Sequence, residues 1–131
     1  MLFKRYLDLA YEEFEAASYL HKGGFLRESA SRAYYSMHHA AKALLDLRDK
    51  HPKTHAGVIS QFGEEFVKTG YIEKIYGEML SQAETLRAKA DYDIEREITK
   101  EEVEEVLNSC KDFLEKIFKI GEVIERERKT S

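Results

Sequence analysis

The stretch from Phe25 to Lys50, FLRESASRAYYSMHHAAKALLDLRDK, decides how the chain is read. At about 100° per residue it forms one helix carrying two different stripes. Leu26, Ala30, Ala33, Met37, Ala41 and Leu44 fall within about 60° of one another, the arrangement of a core-facing side. Glu28, Arg32, Tyr35, Ser36, His39 and Asp46 collect on roughly the opposite side, with Arg32 and His39 about 20° from alignment. A solvated helix face usually carries only Lys and Glu. This one offers a permanent cation, an imidazole that titrates near neutrality, a phenol and a hydroxyl.

Working outward, the preceding segment from Leu2 to about Lys22 keeps Phe3, Tyr6, Leu7, Ala10, Phe14, Ala17 and Leu20 at i, i+3, i+4 and i+7 spacing, with Asp8, Glu12, Glu13 and Glu15 between them. It reads as an amphipathic helix, broken at Gly23 and Gly24 so that the next helix returns antiparallel. His21 falls in its last turn, where a cation suits the helix C-terminus. Pro52 stops the second helix, because the residue before a proline is pushed out of the α region. Thr54 then has the position of an N-cap for a short helix through GVISQFGEEFVK, which Gly70 ends. A fourth helix begins near Tyr71 to Glu73, buries Ile72, Ile75, Tyr76, Met79, Ala83 and Leu86, and ends around Ala90 to Tyr92. Thr99 and Glu102 have capping-box spacing, opening a last helix with Val103, Val106, Cys110, Phe113, Ile117 and Ile124 on one seam. Its final residues, ERERKTS, are expected to fray. The expected fold is all-α: an antiparallel bundle of four long helices plus one short helix, in a single domain over residues 1–131.

Composition narrows the function. The chain has 21 Lys and Arg against 25 Asp and Glu, a net charge of −4 that excludes a bulk nucleic-acid coat, so any RNA contact must be local. One cysteine, Cys110, excludes an internal disulfide framework and reads as a buried, inert thiol suited to a reducing compartment. The acid-rich N-terminus has no signal-peptide character and no apolar run is long enough for a bilayer, so a cytoplasmic protein without a membrane partner is expected. No HExxH, CxxC or Glu-x-x-His pair and no glycine-rich phosphate loop is present, so neither a metal site nor a cofactor is expected.

Four places depart from plain amphipathic helix. Arg32 and His39 rise about 10.5 Å apart along the helix, too far to bond directly, so something must lie between them: a phosphate, or a two-fold axis setting Arg32 of one chain beside His39 of its mate. His38 points about 100° away, toward the core stripe. His55 follows the turn at a helix start, where a neutral ring able to accept or relay a proton is expected. Arg87 and Asp91 have the spacing of a surface ion pair, and Tyr92 in the following loop offers a phenol for a base or a phosphate. The competing readings are a solvated face, turn chemistry and an ordinary ion pair.

The run SRAYYSMHHAAKALL (31–45), followed by KTHAGVISQFGEEFVKTG (53–70) and LRAKADYD (86–93), resembles the HEPN domain, in particular its compact stand-alone branch, over nearly the whole chain. The family pattern is an arginine followed four to six residues later by a histidine. Arg32 matches with His39 or, one position earlier, with His38; His39 aligns with Arg32 on the wheel and is preferred. The resemblance implies a homodimer that brings two Arg/His sets into one cleft and cleaves RNA without metal. His39 would move protons and Arg32 would stabilise phosphate charge, while Tyr35, Ser36, His55, Arg87 and Tyr92 would hold RNA or a nucleotide. It also implies a toxin whose antitoxin is a small nucleotidyltransferase. Some similar toxins have a tyrosine two residues after the histidine, where this chain has Ala41. A different class remains open: a non-catalytic helical subunit that binds a nucleotide or helps a nucleotidyltransferase grip its substrate.

Overall fold

The computed structural model describes residues 2–130. The chain forms α1 (Phe3–Lys22), α2 (Leu26–Asp46), α3 (His55–Phe62) continued by a π-helical segment (Gly63–Val67), α4 (Lys74–Tyr92) and α5 (Lys100–Thr130). No strand occurs among the described residues, and the bundle has the expected four long helices and one short one.

The helix boundaries follow local chemistry. At the end of α1 the amide of Phe25 donates to the Leu20 carbonyl and that of Gly24 to His21, with Gly24 at φ +83°, a left-handed position that favours glycine. At the end of α2 the same pattern recurs with Asp49 at φ +56° and the Lys50 amide donating to Leu45. Thr54 caps α3 by accepting from the Gly57 amide at 2.9 Å. The capping box of α5 is reciprocal: the Thr99 amide donates to Glu102 Oε1 at 3.0 Å and the Glu102 amide to Thr99 Oγ1 at 3.1 Å. The Thr99 amide is the main reason the Glu102 carboxyl lies below its ordinary range. Helix α5 continues through Thr130, although the pattern ERERKTS predicts fraying; Ser131 lies outside the described residues.

Helix α2 occupies the centre, packed by α1, α3, α4 and α5. Its expected core stripe is fully buried at Ala30, Ala33, Met37, Ala41 and Leu44. Two residues of the second stripe, Ser36 and Asp46, are buried as well, because α1 lies across that side. Ser29 Oγ donates to the Ala17 carbonyl at 2.7 Å and Ser36 Oγ to the Ala10 carbonyl at 2.6 Å, one step along the same antiparallel seam. Small side chains at Ser29, Ser36, Ala43, Ala10 and Ala17, each fully buried, let the two backbones approach closely. Asp46, expected on an open face, is 7% exposed and accepts the Leu2 amide at 2.8 Å, placing a negative charge at the N-terminus of α1.

The remaining helices close the core. Phe62 and Phe66 bury both rings on either side of the α3 to π-helix junction, and Phe62 meets Phe113 of α5 at 5.4 Å between ring centres. The buried side of α4 is Leu80, Ala83, Arg87 and Ala90. Ile75, expected inside, is 50% exposed, since it lies off the stripe that Leu80, Ala83, Arg87 and Ala90 define.

Candidate functional site

A carboxylate from α1 lies between the Arg32 and His39 side chains. The His39 Nδ1–H donates to Glu13 Oε1 at 2.6 Å, and Arg32 Nη1 lies 3.7 Å from Glu13 Oε2. Glu13 is 7% exposed, whereas the Arg32 side chain is 56% exposed and that of His39 is 23% exposed. Burial of the carboxylate among apolar helix surface removes competing water, so the His39 N–H and the Arg32 guanidinium fix it and it fixes them in turn. With Nδ1 occupied, His39 Nε2 has no partner within the described chain. Tyr6 stacks on the His39 ring with centres 6.4 Å apart and planes 14° from parallel, and the Lys42 ammonium sits over Tyr6 at 5.6 Å.

Beside this set, three histidines and two tyrosines share one region of α2 and α3. The Tyr34 phenol lies 2.7 Å from His55 Nδ1 and 3.2 Å from His38 Nδ1. The His38 ring centre is 5.4 Å from that of His39 and 5.0 Å from that of His55. Burial, helped by neighbouring His39, His55, Lys42 and Arg87, pushes the His38 imidazole down to about 3, so it is neutral at physiological pH. Burial, with Glu84 nearby, holds the Tyr34 phenol well above its ordinary range, so it keeps its proton. Tyr35 meets both flanks, 6.4 Å from the His39 ring and 5.7 Å from that of His55.

Arg87 forms the expected ion pair with Asp91, at 3.2 Å, and also pairs with Glu84. It is not a surface pair: the Arg87 side chain is 7% exposed, and its guanidinium lies 5.4 Å from the Tyr34 ring centre. Burial disfavours its charge, but the bonds to Glu84 and Asp91 outweigh that and hold it firmly protonated. Tyr92 is the last residue of α4, not a loop residue, and is 77% exposed with Arg87 at 5.8 Å from its ring. Between α2 and the end of α4 lies an open cleft of about 460 Å³ lined by Arg27, Glu28, Ser31, Arg32, Tyr35 and Asp91.

Ser36 does not lie on the open face. It is fully buried on the α1 seam, donates to Ala10, and accepts the Cys110 thiol at 3.3 Å. No ligand reaches it without separating α1 from α2. Burial pushes the Cys110 thiol up to about 12, consistent with an inert side chain. The sequence pattern passed over Glu13, Tyr6 and Tyr34. Glu13 did carry a signal, since it lies in register with Tyr6, Ala10 and Ala17 on the inward side of α1, where an unpaired carboxylate is costly. Among the described residues no group of three His, Cys, Asp or Glu is placed to hold a metal ion.

The molecule is thus an all-α bundle in which an arginine, a carboxylate and a histidine meet beside the central helix. Residues 3–121 match the HEPN domain, and the chain belongs to that family. A Methanocaldococcus jannaschii protein named "Putative toxin MJ0605" is 42% identical over 113 residues, 86% of this chain and 84% of that protein. A second from the same organism, "Putative toxin MJ0142", is 37% identical over 86% of this chain and 77% of its own length. "UPF0332 protein PH1297" of Pyrococcus horikoshii is 46% identical over 80 residues, 61% of this chain and 56% of its own. No helix among the described residues is long and apolar enough to cross a membrane.

Proposed function

We propose that this protein is a metal-independent endoribonuclease of the HEPN type, acting in the cytoplasm as the toxin of a toxin–antitoxin pair. The observation that carries the reading is the Glu13–His39 pair beside Arg32. A carboxylate holding Nδ1–H fixes the ring orientation and stabilises the imidazolium formed when Nε2 takes a proton. The nucleophile is the ribose 2′-hydroxyl. His39 Nε2 removes its proton, the 2′-oxygen attacks the adjacent phosphorus, and the bond to the 5′-oxygen breaks, leaving a 2′,3′-cyclic phosphate. Arg32, tethered to Glu13 by a single long contact, keeps N–H groups for the phosphate oxygens as charge builds on them. RNA held in the cleft between α2 and α4 would place a base on the exposed Tyr92.

A homodimer through the uncovered part of α2, around Arg32, Tyr35 and His39, would bring two such sets together. The small residues Ser36 and Ala43 cannot serve that contact, since α1 already covers them. Sedimentation should give a species near 30 kDa, twice the 15.3 kDa chain. The antitoxin is a small nucleotidyltransferase: the names of the toxin-like relatives support a toxin, and the identity of its partner rests on the resemblance of residues 31–45, 53–70 and 86–93 alone. Purification from the native host should bring that partner down with the chain. The second reading, a nucleotide-binding subunit without nuclease activity, is favoured by the same cleft and Tyr92.

Incubating mixed cellular RNA with the wild-type chain, His39→Ala and Arg32→Ala in EDTA tests the nuclease reading. Cleavage by wild type alone supports it. Equal cleavage by all three, or loss of wild-type activity in EDTA, rules it out; no cleavage by any moves the reading to nucleotide binding.

A further inference from the structure

We propose that His55 is the proton donor to the leaving oxygen, so that a single chain carries both the base, His39, and the acid, with Tyr34 and His38 as the groups that position it. The inference rests on the ribonuclease reading above and adds a residue to it.

Cleavage by the 2′-hydroxyl needs a second proton-transfer group, because the 5′-oxygen leaves poorly as an alkoxide. His55 lies in the first turn of α3, off the helix that carries His39, yet both rings border Tyr35 and both lie beside His38. This puts two imidazoles beside one tyrosine, with Arg32 one turn before it on α2. The Nε2 atoms of His39 and His55 have no partner within the described chain, while each Nδ1 is fixed.

The two Nδ1 partners differ, and the difference sorts the roles. Glu13 is a pure acceptor that neutralises an imidazolium, so His39 is set to gain a proton. His55 Nδ1 faces a phenol whose oxygen also faces neutral His38. When the Tyr34 O–H donates to His38 Nδ1, its oxygen is left to accept Nδ1–H of a protonated His55, at 2.7 Å. The phenol engages the Nδ1 side of the ring, which leaves the Nε2 proton for the substrate. His38, held neutral by burial, is able to accept that bond at Nδ1. The groups around the His55 ring are Tyr34, Tyr35 and His38; behind Tyr34 lie the Arg87 cation and the Glu84 carboxylate that pairs with it.

Protons and bonds balance. His39 Nε2 takes the 2′-hydroxyl proton, the P–O2′ bond forms, the P–O5′ bond breaks, and His55 Nε2 gives its proton to the departing 5′-oxygen. The chain ends with His39 protonated and His55 neutral, and solvent restores both.

A leaving group that needs no acid isolates the step. Two oligoribonucleotides of one sequence are compared, one ordinary and one with sulfur replacing the 5′-oxygen at a single linkage, using wild type, His55→Gln and His39→Ala, each checked for helicity by circular dichroism. His55→Gln should slow the oxygen substrate about 10²- to 10⁴-fold and cleave the sulfur substrate within about tenfold of wild type. His39→Ala should be slow on both. Wild type alone supplies a second readout if the variant folds poorly: its bell-shaped rate profile on the oxygen substrate should lose the alkaline limb on the sulfur substrate. His55→Gln as fast as wild type on oxygen, equally slowed on both substrates, or an alkaline limb kept on sulfur would overturn the proposal. A wild-type chain inactive on both would overturn the ribonuclease reading beneath it.

Discussion

His39 on α2 donates Nδ1–H to Glu13 on α1 at 2.6 Å, across the two helices that Gly24 folds back on each other. Its carboxylate is buried, so the ring is held where a chain of solvated residues would leave it free to rotate. Glu13→Gln keeps the volume and an acceptor oxygen but removes the charge that stabilises an imidazolium. It should lower kcat about 10- to 100-fold while leaving KM and helicity nearly unchanged, measured on a defined oligoribonucleotide.

Stability should depend on pH through His38. Its folded value, about 3, lies below the 6.5 of the free side chain, so the unfolded chain binds the extra proton. The stabilisation is complete above about pH 6.5 and falls as the pH is lowered toward 3, by up to about 1.4 kcal/mol per pH unit. Urea denaturation at pH 7.5, 6.0 and 5.0 should show wild type losing stability faster than His38→Gln over this range.

Ser36 is predicted to matter for folding and not for chemistry. Ser36→Ala removes its bond to the Ala10 carbonyl and the acceptor for the Cys110 thiol, and should cost about 0.5–1.5 kcal/mol with cleavage per folded molecule unchanged. Ser36→Leu should cost about 1–3 kcal/mol or more, because the side chain would wedge α1 away. Denaturation midpoints and specific activities of both variants check this.

Arg87→Ala should cost about 2–3 kcal/mol, since it leaves Glu84 and Asp91 facing an emptied, half-dry site. Arg87→Lys should recover only part of that, because an ammonium lacks the planar fork that reaches both carboxylates. Thermal unfolding of the two variants beside wild type gives the comparison.

Much of the fold was legible in the sequence because apolar spacing and caps are local signals. Thr54, the Thr99–Glu102 box and the break at Gly23 and Gly24 each mark the boundary that their chemistry implies. The error at Ser36 and Asp46 has a tertiary cause: a wheel shows that α2 has two unlike sides but not that α1 packs on the second. Arg87 misled for a related reason, since i, i+4 spacing to Asp91 is identical on a solvated and a buried face. The gap between Arg32 and His39 was visible in the helical rise, but what fills it comes from a helix 26 residues away in sequence. Tyr34 carried no signal of its own, because only the approach of α3 brings His55 to its hydroxyl.

The central claim is that His39 activates a ribose 2′-hydroxyl. The direct measurement uses a DNA oligonucleotide containing one ribonucleotide, incubated in EDTA with wild type and His39→Ala, with the product ends identified by mass spectrometry. The account predicts a single cut by wild type after the ribonucleotide, ending in a 2′,3′-cyclic phosphate and a 5′-hydroxyl, none in the all-deoxy control, and a rate lower by about 10² to 10⁴ in His39→Ala. Cleavage of the all-deoxy strand, a 3′-hydroxyl product, or undiminished cutting by His39→Ala would contradict it.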